Sequence, residues 1–95
     1  MRSLRERRRQ RIDRDVRQQT DYVVGSIQEQ IDAGQEPPYV AYARVRSLTP
    51  EDTARDVGQA VIGHLGESFM LDAKVAEEAG TLFRDGAIIR LVSRE

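Results

Sequence analysis

The residues best suited to chemistry in this chain are its arginines. Eight of the fourteen fall in the first seventeen positions: Arg2, Arg5, Arg7, Arg8, Arg9, Arg11, Arg14 and Arg17. A guanidinium keeps its charge at any physiological pH. Its planar fork of N–H donors matches a phosphate or a carboxylate two bonds at a time, which a lysine cannot do. The chemistry open to such a cluster is anion recognition. A smaller group follows at Tyr42, Arg44 and Arg46. An aromatic flanked by arginines can stack on a base while the arginines pair with phosphates. More often the same pattern is a solvated sheet surface with Arg laid on Tyr. Arg84 adds one further cation next to Asp85-Gly86. The preference for Arg over Lys continues past the cluster, at Arg44, Arg46, Arg55, Arg84, Arg90 and Arg94, and a GC-rich genome is enough to produce it.

Catalytic groups are scarce by comparison. The chain has one histidine, His64, and no cysteine. A nucleophile–base arrangement would have to use that histidine, and near a helix end its default role is structural. Asp52 and Asp56 stand four apart, but an oxygen cage for a hard cation needs six or more ligands from several segments. No Gly-rich phosphate loop and no His-Glu-x-x-His pattern occurs. The expectation is a protein without enzymatic activity, cofactor or metal.

The elements that must carry the arginines come next. Ile12, Val16, Val23, Ile27 and Ile31 fall on one stripe at about 100° per residue, with Thr20 and Val24 beside it. The stripe starts only at Ile12. Before it, Arg5 and Arg9 occupy its continuation, and Arg7, Arg8, Arg11 and Arg14 cover the other sides. The spacing predicts one helix over residues 3–33, cationic all round in its first third. Gly34 suits the left-handed position after the helix, and Pro37-Pro38 block its continuation. About thirty residues at ~1.5 Å each reach some 45 Å, longer than a body of this size is wide, so the basic end should project. Arg9–Asp13, Arg11–Asp15 and Asp13–Arg17 are candidate i,i+4 pairs.

Residues 39–46 read as a strand with Ala41, Ala43 and Val45 inward and Tyr42, Arg44 and Arg46 outward. Thr49-Pro50-Glu51-Asp52 is a helix start: a capping hydroxyl, proline at the first helical position, and acids at the positive end of the dipole. That helix runs through Ala54, Val57, Val61 and Leu65 to Gly66. Phe69-Met70-Leu71 reads as an apolar connector in the core. A short helix is expected over 73–79, capped by Asp72. Asp85-Gly86 between two apolar runs predicts a hairpin of 81–84 with 87–92. The second of these runs is apolar enough to lie centrally in the sheet or to be covered on both faces.

Ala54-Arg55-Asp56-Val57-Gly58 resembles the centre of a helix-turn-helix, a small residue followed four later by a glycine at the turn. His64 and Glu67 stand where that pattern has buried aliphatics, and one unbroken helix is the preferred reading. The element order over residues 39–92 resembles the winged-helix family, with 81–92 as the wing. The resemblance implies a recognition helix at 73–79, whose exposed residues would be Lys74, Glu77 and Glu78. Two acids facing phosphates oppose the usual mode of DNA contact.

Ninety-five residues suit a single domain. The fold class expected is α+β: a long N-terminal helix, then two or three helices, a C-terminal β-hairpin and one more strand. Residues 1–17 form the Arg-rich helical arm and residues 18–95 the small domain. The net charge of −1 conceals an uneven split. Residues 1–17 carry eight Arg against Glu6, Asp13 and Asp15, a net of +5, and the remainder carries seven basic and thirteen acidic side chains, a net of −6. A basic arm on an acidic body suggests a polyanionic partner. It also allows the two halves to attract each other, within one chain or between copies. No apolar run nears the ~18 residues of a bilayer span, and no apolar segment follows the basic start as in a secretory signal. With no anchoring aromatic near the arginines, a membrane-surface helix ranks last.

These features support a nucleic-acid binder, of DNA or RNA, whose arm resembles arginine-rich helical motifs. They also support a structural subunit of a virion or other large complex, with the helix docked on an acidic protein surface or on further copies. The expected location is the cytoplasm or the interior of a virion.

Overall fold

The computed structural model of the chain describes residues 3–66, 68–75 and 86–94. Two helices and three strands follow in the order α1 (Leu4–Asp32), β1 (Tyr39–Ala43), α2 (Pro50–Leu65), β2 (Phe69–Val75) and β3 (Ala87–Ser93). The strands form one antiparallel sheet ordered β1-β3-β2. Both helices pack on one side of the sheet, α1 along β1 and α2 across β2 and β3. The result is a two-layer α+β body with an uncovered sheet face among the described residues.

Each boundary has a local cause. Ser3 caps α1 by accepting from the Glu6 N–H at 3.1 Å. At the other end the Gln35 N–H reaches the Gln30 carbonyl and the Gly34 N–H reaches that of Ile31, both at 3.0 Å. Gly34 takes φ 78° to close this Schellman turn, a conformation that costs any residue with a Cβ. Thr49 caps α2 through the Asp52 N–H at 3.1 Å, with Pro50 in the first turn. α2 then runs unbroken through Gly58 and Gly63, so the helix-turn-helix resemblance is not realised. Gly58 faces the core, where a Cβ would stand 2.5 Å from Leu71 Cδ2; the missing side chain lets α2 lie close on β2.

The core joins Val23 and Ile27 of α1, Val57 and Val61 of α2, and the inward residues Tyr39, Ala41, Ala43, Ala87, Ile89 and Leu91. Val45, just past β1, is also fully buried. Tyr39 and Phe69 meet edge to face across β3, centroids 5.9 Å apart. β3 is the central strand, as its run of apolar residues predicts.

Three expectations are corrected. Residues 73–75 belong to β2 and are not helical, so the 73–79 helix does not start there; 76–79 lie outside the described residues. Phe69-Met70-Leu71 opens that strand and is no connector. Phe69 and Leu71 turn toward the core, while Met70 is 46% exposed, and this period of two is a strand signature. The strand paired with 87–93 on its β2 side is therefore 69–75, in register Val75↔Ala87 and Phe69↔Ser93. β1 pairs along the other side of β3; residues 81–84, the expected hairpin partner, lie outside the described residues. The recognition helix of the winged-helix resemblance thus has no counterpart among the described residues.

Candidate nucleic-acid interface

The first two turns of α1 add no side chain to the core of the described residues. Every residue over 3–11 is exposed, Leu4 at 83%. Contact with the body starts where the apolar stripe starts: Ile12 and Asp15 are half-buried, and Val16 packs against the core. Eight overhanging residues make a projection of roughly 12 Å. The molecule is accordingly elongated, 49 × 30 × 21 Å.

Among the described residues, the guanidinium groups of Arg5, Arg7, Arg8, Arg9, Arg11, Arg14 and Arg17 make neither an ion pair nor a hydrogen bond. The ion pairs that do form lie elsewhere: Arg55 with Asp52 and Asp56, and Arg90 with Asp72 at 3.6 Å across β3 and β2. The expected pairs Arg9–Asp13, Arg11–Asp15 and Asp13–Arg17 are not made. An exposed i,i+4 pair contributes only about 0.2–0.5 kcal/mol, and holding two long side chains costs rotamer entropy. In two of the three the cation precedes the acid, which is the weaker orientation.

The backbone adds to the positive field. A helix N-terminus carries about half a positive charge, and Glu6 is the only acid in the first turn of α1. Arg5, Arg7, Arg8 and Arg9 therefore crowd around a like-signed pole. Any anion that binds there relieves both the mutual repulsion and the exposed N–H groups.

The cationic surface continues onto the body. Arg44 and Arg46 border a shallow groove of about 170 Å³ with Asp15, Gln18 and Gln19 of α1. The Arg44 N–H donates to Gln19 Oε1 at 3.0 Å, which fixes the segment after β1 against the helix. At about 100° per residue, Arg8 and Arg11 stand on the same side of α1 as Asp15, Gln18 and Gln19. Arg8, Arg11, Arg44 and Arg46 thus follow one another along one flank, interrupted by a single carboxylate.

Tyr42 is set apart from this flank. β1 ends at Ala43, and Tyr42 lies half-buried on the uncovered sheet face, where a Cβ on Gly86 would collide with its ring and hydroxyl. The group Tyr42, Arg44 and Arg46 is therefore divided between two surfaces. Arg2 and Arg84 lie outside the described residues. Arg94 carries no distinguishing sequence signal; it is exposed and borders an apolar groove of about 330 Å³ with Gln59, Ile62, Phe69, Met70 and Leu71. The glutamines of α1 escape sequence reasoning as well, because an amide that serves a neighbouring backbone leaves no periodic signal.

His64 is exposed in the last turn of α2 and makes no hydrogen bond among the described residues. Among those residues no three His, Cys, Asp or Glu side chains stand close enough to hold a metal ion. No helix of the described residues is long and apolar enough to cross a membrane. The chain matches no protein-family model, no curated protein and no solved structure.

Proposed function

We propose that this chain is a non-enzymatic nucleic-acid-binding protein whose Arg-rich N-terminal helix contacts phosphates. One observation carries the proposal: seven exposed guanidinium groups, without a partner among the described residues, stand on a helix that overhangs its own core. Charges that served folding would be expected to find the carboxylates available one helical turn away. The acidic balance of residues 18–95 supports the same conclusion, because it repels a polyanion from the body and confines contact to the arm and its flank. The lone, exposed His64 supports a role without catalysis.

The test is binding of labelled nucleic acid, followed by fluorescence anisotropy across a salt series. Each phosphate neutralised on a duplex contributes about −0.9 to the slope of log K against log salt. Replacing Arg7, Arg8, Arg9 and Arg11 with Gln should flatten that slope by up to about 3.6 and abolish binding at physiological salt. A quadruple variant that binds like the parent overturns the proposal.

A second reading, an assembly subunit of a virion or other large complex, is favoured by a different observation. Val40, at 39% exposure, and Met70 lie on the sheet face that no described helix covers. Under this reading the arm meets acidic protein surfaces or packaged nucleic acid. A salt-resistant oligomer in light scattering, unaffected by the quadruple variant, would favour it.

A further inference from the structure

We infer that the polyanion is a B-form DNA duplex and that the arm enters its major groove, with phosphates on both sides of the helix. The inference rests on the nucleic-acid reading above and specifies its substrate. It starts from the angular distribution of the exposed arginines. At about 100° per residue, Arg5 and Arg9 share one side of α1, and Arg7 and Arg14 lie about 170° away from them. Arg8 and Arg11 fill one interval between these sides, and Arg17 the other. All seven are exposed. A helix that lies along a single phosphate backbone needs cations on one side only. The guanidiniums on the far side would face water and add repulsion. Cations on opposite sides are matched by a channel with two anionic walls.

The dimensions agree. A helix with its side chains is about 10–12 Å across, and the major groove of B-DNA is about 12 Å wide and 8.5 Å deep. The overhang over 4–11 is roughly 12 Å long, enough to fill that depth before the body meets the duplex. The groove bordered by Arg44, Arg46 and Gln18 lies at the root of the overhang, where a flanking backbone would pass. The alternatives fit less well. The major groove of A-form RNA is deep and narrow and excludes side chains. Single strands are held by aromatic platforms on which bases stack, and the chain has no aromatic residue before Tyr22.

The full chain is titrated by anisotropy with three probes of one sequence: a DNA duplex of two helical turns, its single strand, and the matching RNA duplex. Two double variants, R5Q/R9Q and R7Q/R14Q, are measured on the DNA duplex. The DNA duplex should bind tightest, with the single strand roughly tenfold weaker for want of stacking. Each double variant should flatten the salt slope by about 1.8, the same on either side of the helix. Equal or tighter binding of the single strand or the RNA duplex overturns the inference. So does a double variant that leaves the slope unchanged, since it puts the arm on one backbone only. Absence of binding to all three probes overturns instead the nucleic-acid reading beneath it.

Discussion

Gln30 holds the backbone of Val40 at both its polar groups. Its Nε2 donates to the Val40 carbonyl at 2.8 Å, and its Oε1 accepts from the Val40 N–H at 3.1 Å. β1 is an edge strand, and its outward N–H and C=O groups would otherwise be a template for another chain. Farther along, Gln19 accepts from the Arg44 N–H. Two glutamines of α1 thus stand where a fourth strand would be. The Gln30 amide is itself oriented by Gln35, which donates to Oε1 at 3.1 Å, and by the Ser26 carbonyl.

Gln30→Ala should therefore destabilise the fold by about 1–3 kcal/mol, since two backbone groups lose their partner at once. Gln30→Glu keeps the acceptor but loses the donor, and should fall in the same range. Urea unfolding followed by circular dichroism measures both. A variant within experimental error of the parent would show that water satisfies this edge equally well.

Glycine replacements along the chain should differ in sign. Gly25 is exposed inside α1, with nothing within 4 Å of where an added methyl would stand, so Gly25→Ala should stabilise by up to about 1 kcal/mol. Gly34→Ala should destabilise by about 1–2 kcal/mol because of its positive φ. Opposite shifts of the thermal midpoint are the expected readout.

Ile27 is fully buried between the two helices and the sheet. Ile27→Ala should cost about 2–5 kcal/mol. In a domain of this size, whose total stability is on the order of 5–15 kcal/mol, a large part of the denaturation curve should shift. Leu4→Ala, at a position 83% exposed, should stay within about 0.5 kcal/mol of the parent.

The arm should behave as a locally weak part of a strong helix. Amides of Arg8, Arg9 and Arg11 should exchange hydrogen quickly, and those of Val23 and Ile27 only through global unfolding. Replacing Arg7, Arg8, Arg9 and Arg11 with Gln should leave the thermal midpoint unchanged or slightly higher, because like charges are removed from the positive end of a helix dipole. A marked fall would mean that these side chains support the core.

Much of this architecture is legible in the residue pattern. The limits of α1 follow from Ser3 and Gly34, those of α2 from Thr49-Pro50 and Gly66, and the place where the arm leaves the body from the first apolar residue of the stripe, Ile12. The central strand is legible in Ala87-Ile88-Ile89. What escapes is non-local. Phe69 to Ala73 is short and ambiguous between helix and strand, and the free edge of β3 decides it by supplying a hydrogen-bonding partner. Tyr42, Arg44 and Arg46 alternate as if on one face, but the strand stops at Ala43; Arg44 and Arg46 then border a groove with α1, while Tyr42 lies against Gly86. Gln30 and Val40 show no relationship until the chain is folded.

The basic overhang and the core-facing stretch belong to one uninterrupted helix, with no hinge between Leu4 and Asp32. When a bound partner holds the locally weak tip helical, a lever of this kind does not let the body swivel. Once the tip is seated, the angle at which the globular part stands away is already determined. Copies seated along one polymer would then share a common azimuth relative to the surface they occupy.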